Sequence, residues 1–165
     1  MNIFYLDPDP ATCAQLHCDK HCVKMILEYA QLLSTAHHVL DGDLARIGIY
    51  AKTHVNHPSA VWVRESIQHY VYVFRLLDHL CAEYTSRYGK VHKTERNVVP
   101  IVAYLPRNLK DRGWTDPPQC MPDKYKHHDS VMAYRQYYSG DKASFAVWKN
   151  MPTPPSFMGM SQFAV

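Results

Sequence analysis

Two long stretches of helical periodicity, residues 11–40 and 58–88, limit what this chain can fold into more than any other feature. The first contains no glycine or proline, and the second has only the proline that begins it. The pattern predicts two long helices, the second capped by Asn56 and stopped by Gly89. Apolar side chains recur in both at the spacing of a buried helix face. The expected buried residues are Leu16, Val23, Ile26, Leu27, Ala30, Leu33, Val39 and Leu40, then Val63, Ile67, Tyr70, Phe74, Leu77, Cys81, Tyr84 and Tyr88.

The remaining segments predict one shorter helix and irregular structure. Residues 2–6 form an apolar run that two closely spaced prolines stop, so we expect this run to pack against the helices. Residues 89–122 form a long basic connection with a helical turn opening at Pro100. A third helix is predicted over residues 129–138, and a short one over residues 141–148 leads into an extended tail. The predicted fold is all-α: two long helices and a shorter third packed together, with the N-terminal segment threaded against them.

Length and composition place the chain among globular proteins. Its 165 residues fit a single domain over residues 1–165, and 47% of them are apolar, which excludes a disordered or collagen-like chain. No segment has the pattern of a membrane span, and the opening residues do not resemble a secretory signal, so we expect a cytoplasmic protein. An odd number of cysteines, five, argues against a disulfide framework, and Cys18 and Cys22 are expected in the core.

The net charge of +3 is concentrated in one segment. Residues 86–112 carry seven bases against two acids, a local net charge of +5. This excess indicates an anionic partner such as nucleic acid, although a solvated loop explains it equally well. The bases are Arg87, Lys90, Lys93, Arg96, Arg107, Lys110 and Arg112.

A polar stripe runs along the first predicted helix at steps of three and four residues. Its members are His17, His21, Lys24, Glu28, Gln31, Thr35 and His38. One interpretation is a solvated face with an ordinary Lys24–Glu28 pair. The other is the wall of a polar cleft, in which Glu28 is a general acid–base or electrostatic stabiliser. The histidines would then act as proton donors or phosphate contacts near neutral pH.

Metal and cofactor sites find little support in the pattern. His17 and His21 have a spacing that can chelate zinc, but Cys18 and Cys22 are rotated from them by about 100°, so both pairs cannot close on one ion. The chain also lacks a nucleophile elbow and a glycine-rich phosphate loop. We therefore predict no metal and no cofactor.

Two signals flank the second predicted helix. His57 lies near its amino end, where backbone N–H groups favour an anion, although helix capping explains this stretch as well. At the C-terminal end of the same helix, residues 87–93 combine basic side chains with a tyrosine, a composition typical of loops that bind a nucleic-acid backbone. A solvated helix terminus explains this composition equally well. The candidate nucleic-acid contacts are Lys24, His57, Arg87, Lys90, His92, Lys93 and Arg96.

The order of these features resembles the endonuclease V-type pyrimidine-dimer DNA glycosylase/AP lyase family found in phages. The likeness rests on the short apolar opening and on Asp19-x-His21, with Glu28 seven residues beyond the histidine. A long helix ending in Tyr88-Gly89-Lys90, a basic loop and a C-terminal helix with Trp148-Lys149 complete it. Blocks such as HCDKHCVKMILE also look like small phage proteins of unassigned function, which implies a bacterial or phage-infected cell.

The resemblance implies an all-α fold and specific roles for residues at the start of the chain. Glu28 takes the position of the family's catalytic glutamate, and His21 that of a histidine on the same helix. The family's nucleophile is the α-amine exposed when the initiator Met is removed. Asn2 is larger than the side chains that favour Met removal, so the amine would belong to Asn2 or to Met1.

Our leading hypothesis is an enzyme that cleaves an N-glycosidic bond in duplex DNA, with the N-terminal amine as nucleophile and Glu28 as stabiliser. Two alternatives remain open. One is a non-catalytic phage protein that binds nucleic acid or a host factor, in which Glu28 is only the partner of Lys24. The other is an enzyme that acts on a free nucleoside or nucleotide. The sequence leaves the lesion, a subsequent lyase step, the retention of Met1 and the oligomeric state open.

Overall fold

The computed structural model describes residues 1–159, and this part of the chain contains seven α-helices, three 3₁₀ turns and no β-strand. The predicted all-α class is therefore confirmed. The helices are α1 (Pro10–Leu16), α2 (Asp19–Asp41), α3 (Pro58–Val63), α4 (Ile67–Tyr88), α5 (Lys93–Asn97), α6 (Val99–Val102) and α7 (Ser130–Ser139). The 3₁₀ turns are Gly42–Leu44, Asp123–Tyr125 and Ser156–Gly159.

The prediction of one continuous helix over residues 11–40 is wrong, because His17 and Cys18 adopt extended backbone conformations between α1 and α2. The carbonyl groups freed at this break find donors from distant parts of the chain. Trp148 donates its indole N–H to the Leu16 carbonyl over 2.8 Å, and Arg87 donates to the His17 carbonyl over 2.8 Å. A helix can end inside a protein where such partners replace its internal hydrogen bonds.

The second predicted helix is also interrupted, between α3 and α4. Ser66 caps α4 by accepting the Gln68 amide, so the chain turns before the long helix begins. His57 caps α3 through its ring, and the expectation that Asn56 is the cap is wrong. Gly89 ends α4 with a φ of 70°, a left-handed conformation that glycine adopts without strain. The predicted apolar stripe is confirmed for Val63, Tyr70, Leu77, Cys81 and Tyr84, which are all buried.

Helix α2 is the centre of the fold and packs against α3 and α4, while α1 packs against α4. Ile26, Ala30 and Leu33 are buried as predicted. Val23, Leu27 and Val39 are instead about 40% exposed, which corrects the predicted stripe. Polar side chains occupy part of the buried face of α2, because hydrogen bonds to tyrosines and to backbone groups compensate the free-energy cost of removing them from water. The buried polar residues of α2 are Asp19, His21, Ser34, Thr35 and His37.

The N-terminal segment is threaded into the body of the protein, as predicted. Ile3, Phe4, Tyr5 and Leu6 are all buried. Arg135 of α7 holds the segment by donating to the Leu6 carbonyl over 2.8 Å. Because residues 3–6 have lost contact with water, the position of the chain terminus is set by the packing of this segment.

The chain after residue 89 departs further from the predictions. The basic connection contains two short helices, α5 and α6, and α6 begins at Val99, one residue before the expected turn. Helix α7 and its Asp129 cap agree with the predicted third helix. Instead of the predicted helix, residues 141–145 form turns and residues 146–148 are irregular. Asp141 accepts a hydrogen bond from Tyr125 instead of capping a helix.

The expected extended tail forms the Ser156–Gly159 3₁₀ turn, which packs on α7 with Phe157 buried, and its last six residues lie outside the described ones. Cys18 and Cys22 are core residues as predicted, and every cysteine is a free thiol. No helix within residues 1–159 combines the length and apolarity needed to cross a bilayer.

Replacing Arg87 by alanine should destabilise the protein by about 3 kcal/mol. Its side chain is fully buried and forms ion pairs with Asp19 at 3.2 Å and Glu83 at 3.0 Å. The variant leaves both carboxylates without their cationic partner and removes the donor to the His17 carbonyl. Urea denaturation monitored by circular dichroism measures the change. The exposed Arg96→Ala control should stay within about 0.5 kcal/mol of the parent. Equal stabilities of the two variants would contradict the structural role of Arg87.

Candidate functional site

A small polar cleft lies where the N-terminus meets α2. The α-amine of Met1 is 3.4 Å from Oε1 of Glu28, and Lys24 Nζ is 3.7 Å from Oε2 of the same carboxylate. The Met1 side chain is 5% exposed and that of Glu28 16%, whereas Lys24 is 63% exposed. The cleft has a volume of about 140 Å³ and is lined by Met1, Asn2, Phe4, His21, Lys24, Met25, Glu28 and Lys142.

The carboxylate of Glu28 is only partly satisfied within the protein. Its Oε2 atom is buried and has no hydrogen-bond partner among the described residues, and the Lys24 ammonium contacts it only at ion-pair distance. A buried polar atom without a hydrogen bond raises the free energy of the folded state by about 1–3 kcal/mol. Glu28 lines the cleft and contacts the α-amine through Oε1, in contrast to the carboxylate of an ordinary helix-surface pair.

The α-amine is positioned by a hydrogen-bonded anchor three residues along the chain. The Phe4 amide donates to the Tyr29 hydroxyl over 3.2 Å, and the Cys13 thiol donates to the Phe4 carbonyl over 3.1 Å. Both backbone groups of Phe4 are therefore fixed. Tyr29 follows Glu28 directly on α2, so the anchor and the carboxylate belong to the same helical turn.

The ring of His17 completes this anchor. Its Nδ1 lies 2.7 Å from the Cys13 carbonyl, which can only accept, so Nδ1 carries the proton. The Tyr29 hydroxyl then donates to Nε2 over 2.7 Å. Burial lowers the pKa of His17 to about 4, which keeps the ring neutral and preserves this arrangement at neutral pH.

His21 lies in the cleft wall as a buried, neutral ring. Its Nδ1 is 2.6 Å from the Tyr138 hydroxyl, and the ring stacks on Phe4 with the centroids 4.2 Å apart. Desolvation, followed by the charges of His17 and of the nearby lysines, lowers the pKa of His21 to about 2. Both rings are therefore neutral near pH 7, and a role of these histidines as proton donors or phosphate contacts would have to be performed without a positive charge. Both ring nitrogens of His17 are engaged in hydrogen bonds, whereas the hydrogen bond of His21 is made by Nδ1.

The rest of the polar stripe does not reach the cleft. Thr35 is buried and accepts the Thr53 amide over 3.1 Å, and His38 bonds to the Tyr50 carbonyl over 2.9 Å. Their role is to hold the loop after α2. Of the seven residues in the stripe, the structure brings only His21, Lys24 and Glu28 together in the cleft.

His57 lies beside the cleft but is oriented by α3. Its Nδ1 accepts the Ser59 amide over 3.1 Å, which places the proton of the neutral ring on Nε2. Burial is the largest cause that lowers its pKa, and the positive α-amine acts in the same direction, opposed by Glu28. The structure thus makes His57 the cap of α3 and places it within electrostatic reach of the amine and of Glu28.

The predicted basic contacts separate into exposed and buried groups. Lys90, Lys93 and Arg96 are exposed and line a shallow depression of about 580 Å³ after the end of α4. Arg87 has no exposed side-chain surface to offer a phosphate, contrary to its predicted role. His92 accepts the Thr94 amide as the cap of α5, and it is half-buried. We name the exposed set of Lys90, Lys93 and Arg96 the α4–α5 basic surface.

Sequence reasoning missed two kinds of residue at the cleft. Lys142 comes from the turn after α7, and no local pattern links it to Glu28. Tyr29 and Tyr138 contribute hydroxyl groups to the anchor and to His21, although both appear in the sequence only as residues of helical segments. The signal that could have found them is the burial of a histidine, which requires a hydrogen-bond partner.

Comparison with known proteins gives one family match. The family model described as pyrimidine dimer DNA glycosylase matches residues 1–97, which is more than half of the chain. The matched region contains the threaded segment, Glu28 and the α4–α5 basic surface. Neither the curated proteins nor the solved structures yield a match to this chain.

The two buried histidines predict a steep loss of stability in weak acid. The pKa values of His17 and His21 in the folded state lie below the value of 6.5 in the unfolded state. The contribution of each neutral ring to the free energy of unfolding is therefore fully present above pH 6.5 and is lost as the pH falls below that value. Between pH 7 and 5 each should lower the free energy of unfolding by roughly 2 kcal/mol. Chemical denaturation at several pH values in this range measures the change.

Two variants test whether His21 causes the loss of stability in weak acid. His21→Gln should reduce the pH slope by about one proton, independently of its own effect on stability. The exposed Ser86→Ala control removes no titratable group and should keep the parent slope. If His21→Gln keeps the full slope, His21 is not the source of the acid sensitivity.

Proposed function

The chain belongs to the pyrimidine dimer DNA glycosylase family, and from that premise we propose that it cleaves an N-glycosidic bond of DNA with the α-amine of Met1 as nucleophile and Glu28 as general acid–base and stabiliser. Membership of this family makes the chain a DNA glycosylase-type enzyme with DNA as its partner. We propose further that the DNA is duplex and that a lyase step follows the release of the base.

One observation carries the proposed mechanism: the α-amine lies 3.4 Å from Oε1 of Glu28. An amine must lose a proton before its lone pair can attack, and a carboxylate at this distance can accept that proton. An amine at a chain terminus is in general less basic than the side-chain amine of a lysine, which makes an α-amine the more accessible nucleophile of the two classes. A nucleophile beside its base is the usual arrangement in covalent catalysis.

The proposed reaction forms and breaks bonds at the anomeric carbon of the sugar. The amine lone pair forms a bond to C1′, and the glycosidic bond breaks with its electron pair leaving on the base. Opening of the sugar ring then gives a Schiff base between the amine and C1′. Loss of a C2′ proton and departure of the 3′ phosphate would follow in a lyase step, and water would release the sugar fragment from the amine.

Glu28 supports both charge and proton transfer in this scheme. Its negative charge faces the carbon on which positive charge develops as the glycosidic bond breaks. The small volume of the cleft suits attack on a sugar carbon while the base itself is held outside the helical stack of the DNA.

The position of the amine favours Met1 over Asn2 as the nucleophilic residue. A chain beginning at Asn2 would carry its amine up to about 3.8 Å further along the backbone from Glu28. Phe4 is fixed by Tyr29 and Cys13, so the shortened chain cannot slide forward to compensate. Intact mass spectrometry of the purified protein tests the retention of Met1.

The α4–α5 basic surface and Lys24 supply cationic groups for the DNA backbone. Their exposed side chains can approach phosphates without disturbing the core. The family match argues against the two other hypotheses, a non-catalytic binding protein and an enzyme acting on free nucleotides, because it implies catalysis on DNA.

Reduction with borohydride tests the proposed nucleophile. On duplex DNA with an abasic site, the parent protein should form a covalent adduct, because borohydride reduces the Schiff base to a stable amine. Glu28→Gln should lower the rate of adduct formation by at least about 100-fold, the usual size of a general acid–base contribution. Mass spectrometry of a proteolytic digest should locate the adduct on Met1.

An added N-terminal Gly-Ser extension is the control for the amine, since it moves the terminal nitrogen away from Glu28. Lys126→Met is the control for a substitution outside the cleft and should leave trapping unchanged. Absence of an adduct with the parent protein, or an adduct on a lysine, would exclude the amine mechanism. Release of the base without an adduct would leave a glycosylase that uses water.

The α4–α5 basic surface predicts a defined salt dependence. Each phosphate contact contributes about −0.9 to the slope of log K against log salt for duplex DNA. Replacing Lys90 and Lys93 together by alanine should flatten the slope by about 2 and weaken binding equally for all sequences. Fluorescence anisotropy over a range of salt concentrations measures both effects.

Two exposed lysines elsewhere provide the matched control for that experiment. Lys124 and Lys126 lie at the Asp123–Tyr125 turn, and their double alanine variant removes the same charge. It should retain the parent slope. An unchanged slope in the Lys90/Lys93 variant would mean that these two lysines contact no phosphate.

A further inference from the structure

The ammonium group of Lys142 lies in the same cleft as the proposed nucleophile, and no carboxylate of the described residues pairs with it. Its side chain is half-buried and lines the same cleft as the α-amine and Glu28. Among the ion pairs of residues 1–159, none involves its ammonium group. A half-buried cation that lacks an anionic partner gains most from an anion that enters the cleft.

Aromatic rings hold the ammonium group while leaving its charge uncompensated. Lys142 Nζ lies 4.6 Å from the centroid of the Tyr137 ring, 5.9 Å from that of Phe4 and 6.0 Å from that of Phe145. Ring faces attract a cation through their quadrupole but carry no net charge. The rings therefore orient Lys142 and leave its formal charge available to a ligand.

The backbone around Lys142 is held by its own hydrogen bonds. Phe145 and Ala146 both donate their amides to the Lys142 carbonyl, over 3.2 and 3.0 Å. Asp141 accepts a hydrogen bond from Tyr125 over 2.6 Å on the other side. Lys142 therefore starts from a fixed backbone position, and the cleft is partly formed before any ligand binds.

The charges in the cleft are unequal. The α-amine, Lys24 and Lys142 carry three formal positive charges, and Glu28 carries the single negative charge among the lining residues. His21 adds none, because its pKa is lowered to about 2, with Lys142 among the causes. The excess of two positive charges identifies the missing partner as an anion.

Lys142 also lies outside residues 1–97, the region that the family model matches. It reaches the cleft only because the turn after α7 folds back over His21, with the Phe145 and His21 ring centroids 5.6 Å apart. The cation is thus supplied by a part of the chain separate from the one that supplies the amine and Glu28.

We propose that Lys142 binds the phosphodiester group next to the sugar that the amine attacks, and so positions C1′ between Met1 and Glu28. The inference deepens the proposed function and rests on it for the identity of the sugar. Phosphate is the anion that every nucleotide presents beside its sugar, and a lysine ammonium binds it as a point charge. Lys24 is exposed at ion-pair distance from Glu28, which leaves Lys142 as the cation of the cleft without a carboxylate.

The test measures the coupling between Lys142 and one phosphate. Duplexes carry a tetrahydrofuran abasic analogue, and the phosphate on its 5′ or 3′ side is either native or an uncharged methylphosphonate. Dissociation constants are measured for the parent, Lys142→Met, Lys142→Arg and the control Lys126→Met. Methionine keeps an unbranched stem for the Tyr137 and Phe145 rings, and thermal melting establishes that each variant is folded.

For the parent, methylphosphonate at one of the two positions should weaken binding by about tenfold, as expected for the loss of one charge-assisted hydrogen bond. For Lys142→Met, native DNA should bind about tenfold more weakly, and methylphosphonate at that position should have no further effect. Lys142→Arg and Lys126→Met should retain the methylphosphonate effect. If methylphosphonate weakens binding equally in the parent and in Lys142→Met at both positions, the inference is wrong.

The analogue cannot form a Schiff base, so this measurement does not depend on catalysis. Borohydride trapping on a true abasic site, run in parallel, reports on the amine mechanism alone. An adduct with no coupling would preserve the proposed function and overturn the role of Lys142. Coupling with no adduct would preserve the phosphate contact and exclude the amine as nucleophile.

Discussion

The hydrogen bond from the Phe4 amide to the Tyr29 hydroxyl is the contact on which the arrangement of the cleft depends. It joins the threaded N-terminal segment to α2 one residue after Glu28, and it thereby fixes the distance between the α-amine and the carboxylate. His17 accepts from the same hydroxyl, so the anchor is complete only while that ring is neutral. Burial keeps the His17 ring neutral. The geometry of the cleft therefore depends on the packing of the core around this ring.

The interruption between α1 and α2 is the second condition for this geometry. The extended conformations of His17 and Cys18 bring the His17 ring under Tyr29, where a continuous helix would direct it elsewhere. Arg87 and Trp148 stabilise the break by donating to the carbonyls that the helix leaves open. Residues that are distant in sequence thus maintain a local conformation that α1 and α2 would not adopt alone.

The cleft combines two sets of residues with different origins in the chain. The amine, Lys24 and Glu28 lie within the first 28 residues, and they belong to the region that matches the DNA glycosylase family. Lys142 enters from the turn after α7, supported by aromatic rings. In the proposed function the first set performs the chemistry, and in the further inference the second orients the nucleotide. This division explains why the cleft carries more positive charge than its single carboxylate can balance.

The sequence by itself determined the all-α class, the burial of residues 3–6 in the predicted N-terminal run, the third helix and the pairing of Lys24 with Glu28. Each of these follows from local periodicity, caps or side-chain spacing, which adjacent residues encode. Only the tertiary structure decided that the two long helices are interrupted, that Arg87 is buried while Lys90 is exposed, and that Lys142 reaches Glu28's cleft. These features depend on hydrogen bonds and packing between residues far apart in the chain, and such contacts leave no periodic signal in the sequence.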